Sequence, residues 1–212
     1  MAMDEEDSVV VMLVRTDHGP GDPTSITQEW GDDVVVQADA SHLPRADLYV
    51  KSKPMGRSAQ SFPQKRTGRH DLLVFYGHGL DDALLMPGGP PECYCIFLGS
   101  HDVPMLQNKH VCATACCSAS VLGPSAVQQG AVCYVGYSRP FYLYVDDAEF
   151  RRCANAWVEP LLKNRQDWGA ALEAMKRSYR DRIDFCHTQA GIAKYALAWI
   201  PTGPSRPNKS GG

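Results

Sequence analysis

The sequence predicts an α/β domain: a mostly parallel central sheet with helices on both faces. Three observations predict it. Residues 8–14, 71–76, 109–115 and 131–137 form short apolar runs, near-continuous where the signal is clearest, which is the pattern of strands covered on both sides. Each run stops abruptly at small or turn-forming residues. Helical periodicity lies between and after them, most clearly beyond residue 148.

The elements follow in order. Residues 8–14 read as a central strand, ended by the breaker cluster at 15–21. Residues 33–37 (Asp-Val-Val-Val-Gln) read as a second strand, with room at 25–30 only for a short helix or loop. Leu48, Tyr49 and Val50 read as a short edge strand. Residues 51–69 carry Lys51, Lys53, Arg57, Lys65, Arg66 and Arg69 and no acid, which suits a solvated loop or a docking segment for an acidic partner. The strand at 71–76 ends in Gly77-His78-Gly79. A hairpin or loop then leaves the sheet edge, residues 93–98 form an extra strand, and 102–107 turn. The strand at 109–115 ends at Cys116 and Cys117. A crossover at 120–129 reads as a helix beginning near Pro124 and ended by Gly130. After the strand at 131–137, Asp146 or Asp147 caps a helix that buries Phe150, Cys153, Ala154, Trp157, Val158 and Leu161. A second helix starts near 166–167 and buries Trp168, Leu172, Met175, Tyr179 and Ile183. Residues 190–200 suit a last short helix or strand.

Composition narrows the function. The chain has 212 residues, read as a single domain over 1–200 and a disordered Pro/Gly/Ser/Lys tail over 201–212. A formal charge of −3 and a pI near 6.1 argue against a nucleic-acid binder. Eight cysteines are too few, and too irregularly spaced, for a secreted disulfide framework. No apolar stretch is long enough to span a bilayer, and the acidic start (Asp4, Glu5, Glu6, Asp7) is unlike a signal peptide. A cytoplasmic location with free thiols is the expectation.

The chemistry concentrates at two strand ends. In an open α/β sheet, functional groups collect at the carboxyl ends of the strands, so His78 and Cys116 are expected at one rim. A free thiol titrates near ~8.5 and needs a base to attack a carbonyl. His78 can act as that base and return the proton to a leaving amine, and the N-terminus of the following helix would favour the thiolate. Cys117 is the alternative nucleophile. Cys112, Cys133, Cys153 and Cys186 read as small buried hydrophobes. His18 follows the first strand and can approach the same rim; the other histidines read as surface or structural. No residue set is read as a metal site, because Cys93, Cys95, His110, Cys112, Cys116 and Cys117 make no paired C-x-x-C knuckles. There is no G-x-S-x-G elbow and no nucleotide-binding P-loop.

With His78-Gly79 and Ala115-Cys116-Cys117-Ser118 at successive strand ends, the chain resembles the caspase-like (clan CD) cysteine peptidases. That group holds caspases, gingipains, separases and bacterial CHAT peptidases, and the pattern is most similar to the bacterial CHAT-type members. The similarity runs over residues 71–183, taking in the strand at 130–137 and Asp146-Asp147. It implies a caspase-like fold and a cysteine endopeptidase that works through a thioester acyl-enzyme and requires no cofactor. It implies Cys116 as nucleophile, His78 as acid/base and the backbone N–H groups of Gly79 and Cys116 as oxyanion hole. Asp146 would line a pocket for a basic substrate residue. Arg139 would instead suit an acidic one, and Ser138 and Arg139 would wall a groove for an extended peptide. The partners implied are a protein or peptide substrate and an activating or inhibitory protein. The alternative is a catalytically inactive relative serving as a protein-interaction module.

Overall fold

Successive residues of the apolar runs enter opposite cores, which explains why the runs are nearly unbroken. In β1 (Val11–Asp17), Val11 and Leu13 face one core while Met12 and Val14 face the other. In β3 (Leu72–Tyr76), Leu72, Val74 and Tyr76 share the first core, and Leu73 and Phe75 the second. These features belong to a computed structural model that describes residues 10–19, 21–51, 70–88, 94–140, 148–163 and 167–188.

Five parallel strands make the central sheet, in the order β2 (Arg45–Lys51), β1, β3, β7 (His110–Thr114), β8 (Cys133–Val135). The first core is closed by α1 (Thr27–Ala40), α3 (Ala148–Asn155), α4 (Val158–Lys163) and α5 (Trp168–Cys186). The second is closed by α2 (Leu122–Gln128), a 3-10 helix at Ser100–Leu106 and a small antiparallel sheet. That sheet is β4 (His78–Leu80), β5 (Ala83–Pro87) and β6 (Tyr94–Gly99), and it grows directly out of the end of β3. The α/β expectation with helices on both faces is met, with the small sheet as an additional cover.

Residues 33–37 are helical, not a strand. Trp30, Gly31, Val34 and Ala38 of α1 are buried at helical spacing, whereas Val36 is 67% exposed. Parallel β1 and β2 cannot be joined by a tight turn, so their connection must cross the sheet face, and that demand overrides the β preference of Val34-Val35-Val36. The short edge strand expected at 48–50 is β2. The helix expected from 148 to 161 is two helices, α3 and α4, broken by a turn at Ala156 and Trp157. Asp167 caps α5 by accepting from the Ala170 N–H at 2.8 Å. Met175 is buried there, but Leu172 and Ile183 are 37% and 53% exposed, contrary to the periodicity reading. Readings for residues 52–69, for Asp146 and Asp147, and for 190–212 lie outside the described residues, as does the Lys51 side chain.

A buried polar chain ties the first core together. The Tyr76 hydroxyl donates to Asn155 Oδ1 at 2.7 Å, and Asn155 Nδ2 donates to Trp30 O and to Asp33 Oδ2, both at 2.7 Å. Arg151 closes it on Asp33 at 3.0 Å. Both donor protons of the Asn155 amide and its oxygen are therefore used, which fixes the amide orientation. Asn155→Leu strands several buried polar groups at once, whereas Tyr76→Phe removes one donor. Urea unfolding should show a loss of about 2–4 kcal/mol for the first and about 1 kcal/mol for the second; equal losses would contradict the network.

Candidate active site

Register brings the two expected groups to one rim. β3 lies between β1 and β7, with Arg15 paired to Tyr76 and Tyr76 paired to Thr114. His78 follows Tyr76 by two residues, and Cys116 follows Thr114 by two. The His78–Gly79 segment packs against the Cys116 turn. A Cβ on Gly79 would stand 2.4 Å from Cys116 O and 2.9 Å from Ala115 Cβ, so only glycine fits this approach. Gly77 is required for a related reason: a Cβ there would reach within 2.1 Å of Thr16 Oγ1.

Cys116 and Cys117 are both half-buried thiols, and neither lies in a disulfide. They lie beyond β7 in a turn, so strand alternation does not separate them; backbone and charge do. Cys117 is left-handed (φ +54) and its N–H donates to Arg139 O at 3.2 Å. Partial desolvation, then a hydrogen bond to the Asp81 carboxylate and its charge, push the Cys117 thiol above its ordinary value, which disfavours its thiolate. The Ala119 N–H donates to Tyr137 O at 3.0 Å, so residues 137–139 run alongside the cysteine turn. Ser138 and Arg139 are exposed at that rim, and Asp146 lies outside the described residues.

The helix expected after the cysteine turn is α2. It starts at Leu122, two residues before the expected Pro124, and the N–H groups of Val121 and Leu122 both donate to Asp81 O, at 3.0 and 2.8 Å. The turn between is closed by Ser120 N–H on Cys117 O and by Gly123 N–H on Ser118 O. Buried Ser118 donates to Ala115 O at 3.0 Å.

His78 is held by a carboxylate from the loop after β1. Its Nε2 lies 2.8 Å from Asp22 Oδ2, with the two side chains 24% and 16% exposed. Asp22 caps the 3-10 turn Pro23–Ile26: its Oδ1 accepts from the Thr24 N–H at 2.9 Å and the Thr24 hydroxyl at 2.6 Å. The Tyr94 hydroxyl, at the start of β6, donates to Oδ2 at 3.3 Å. Burial alone would raise the Asp22 carboxyl, but the hydrogen bonds from Thr24 and His78 outweigh it and bring it down to about 2. Asp22 is therefore an acceptor only, Nε2 of His78 carries the proton, and Nδ1 is left as the basic nitrogen.

His18 completes the cluster. Its ring meets the His78 ring edge-on at 4.6 Å, and Tyr94 lies 4.8 Å from His78. Buried Thr16 donates its hydroxyl proton to Tyr76 O at 2.9 Å, so at 2.9 Å from His18 Nε2 the same oxygen accepts. Burial, then the adjacent His78, lower the His18 pKa to about 4, against the pull of Asp22 and Asp17. The donor atoms of His18, Asp22 and His78 all lie within 4.8 Å of one another, close enough to hold a metal ion. Sequence reading placed His18 near this rim but missed Asp22 and Tyr94. The available signal for Asp22 was Asp-Pro-Thr, a capping pattern just after the first strand.

No protein-family model matches the chain, and no curated protein matches it. No helix among the described residues is long and apolar enough to cross a membrane.

Two expected outcomes follow from this geometry. Gly79→Ala must separate two backbones and should cost about 1–3 kcal/mol in denaturant unfolding; an unchanged midpoint would contradict the close approach. The folded state keeps His18 neutral where the unfolded chain would protonate it, so its contribution to stability is complete above pH 6.5 and is lost as pH falls toward 4. Asp22 adds a second loss from pH 3.8 toward 2. Unfolding free energies measured across this range should fall less steeply between pH 6.5 and 4 for His18→Gln than for the native chain.

Proposed function

We propose that the protein is a cysteine endopeptidase with a caspase-like arrangement, in which Cys116 is the nucleophile, His78 the general base and acid, and Asp22 the group that orients His78. The strand register carries this reading: Tyr76 pairs with Thr114, and the imidazole and the thiol each follow by two residues on adjacent parallel strands.

With Nε2–H held by Asp22, Nδ1 of His78 takes the proton from the Cys116 thiol. The thiolate then attacks the substrate carbonyl carbon, a C–S bond forms, and the carbonyl oxygen becomes an oxyanion. The N–H groups of Gly79 and Cys116 stabilise it, the two residues being brought side by side by the close packing that glycine permits at position 79. Collapse of the intermediate breaks the C–N bond, and His78 Nδ1 gives its proton to the departing amine. Water, deprotonated by the same nitrogen, hydrolyses the thioester and frees Cys116. Asp22 does not take the proton; it fixes the tautomer and stabilises the imidazolium. The segment at 137–139 suits an extended peptide beside the turn.

Cys116→Ala and His78→Ala should each lower kcat/KM on a peptide library by about a thousandfold or more, while Asp22→Asn should lower kcat about ten- to a hundredfold with little change in KM. Cys117→Ser should keep most of the activity. Full cleavage by Cys116→Ala ends this reading. An electrophilic peptide probe spread evenly over the cysteines would favour an inactive interaction module instead.

A further inference from the structure

We propose that His18, Asp22 and His78 form a site for a divalent transition metal, zinc best, and that metal held there switches off the base function of His78. The second half rests on the peptidase reading; the site itself does not.

Two imidazoles and one carboxylate form a donor set that suits zinc and other transition metals better than magnesium or calcium, which prefer oxygen. Among the described residues, these three are the group whose donor atoms gather tightly enough, all within 4.8 Å of one another. Zinc bonds nitrogen and oxygen at about 2.0–2.2 Å, so donors around one tetrahedral ion stand about 3.3–3.5 Å apart. His78 Nε2 and Asp22 Oδ2 now share a proton at 2.8 Å. An ion in place of that proton needs them to open by less than an ångström, and His18 to close by up to about 1.5 Å.

The outer partners of such a site are already in place. Thr24 holds the far oxygen of Asp22 through two hydrogen bonds, and Thr16 anchors the His18 ring. The Tyr94 hydroxyl, 3.3 Å from Asp22 and 3.4 Å from His78, stands where a fourth ligand or the partner of a metal-bound water belongs. Partial exposure of His78 and Asp22 leaves an entry path.

The consequence for His78 is a matter of proton balance. Zinc takes the Nε2 lone pair, so the proton on Nε2 leaves and a neutral metal-bound imidazole carries its proton on Nδ1. That nitrogen then has no lone pair for the Cys116 proton. No bond to carbon and no electron transfer is involved.

The test is a zinc titration of the full chain carrying Cys116→Ala, which removes both catalysis and the nearest rim thiol of the dyad. The expected result is one zinc per chain by calorimetry, and a cobalt(II) complex without thiolate-to-metal charge-transfer absorption. His18→Gln and Asp22→Asn, each with an unchanged near-ultraviolet circular dichroism spectrum, should weaken zinc binding about tenfold or more. Should either variant not fold, the stoichiometry and the cobalt spectrum still decide. Equal affinity in the folded variants, a thiolate charge-transfer band, or no binding at millimolar zinc would overturn the site. In the native chain, one equivalent of zinc should abolish peptide cleavage and a chelator restore it; cleavage unaffected by bound zinc overturns the switch. A chain that binds zinc at these residues but cleaves no peptide even when freed of zinc by a chelator would refute the peptidase and uphold the site. The reverse result would do the opposite.

Discussion

The parallel pairing of β3 with β1 on one side and β7 on the other is the constraint from which the rim follows. Its ladder sets Arg15 against Tyr76 and Tyr76 against Thr114. Three chain ends therefore leave the sheet at one level, and the residues just beyond them are brought into contact. Because side chains alternate, a slip of one residue in either pairing would send Leu73 and Phe75 into the wrong core. The same burial that stabilises the fold thus sets which side chains meet at the rim. Gly77 and Gly79 show how little slack remains, since neither position can hold a Cβ without moving another residue.

The direction of the proton at His78 comes from charge rather than from shape. Asp22 is ionised because four donors converge on it, two from Thr24 and one each from His78 and Tyr94. An ionised carboxylate can only accept, so the imidazole has one orientation and one tautomer. Cys117, beside Asp81, meets the opposite electrostatics. The Asp81 carboxylate thus disfavours the thiolate at Cys117. His18 is kept neutral near neutral pH by its burial and by the adjacent His78.

How much was legible depended on the range of the interaction that decides each feature. β1, β3 and β7 were legible because a doubly covered strand must be apolar at nearly every position, whereas β8, read as buried over 131–137, is a half-buried edge strand of Cys133–Val135. The turn glycines were legible because they bound those runs. The helix at Val34-Val35-Val36 was not, because three β-branched residues favour a strand locally and only the crossover between β1 and β2 makes them helical. The split between α3 and α4 was hidden for a similar reason: Cys153, Trp157 and Leu161 keep helical spacing across the turn. The contacts of the cysteine turn with Asp81 and residues 137–139 were not legible, because they join segments far apart along the chain.

From residue order alone come the class of fold, the strands that carry His78 and Cys116, and the glycines beside the histidine. These depend on burial and on backbone freedom, which act over a few residues and leave a readable pattern. Tertiary structure alone decided that the Asp22 carboxylate meets His78, and that His18 and Tyr94 stand beside it. Those meetings come from strand order and register, and strand neighbours far apart along the chain leave no periodic mark of their contact in the sequence.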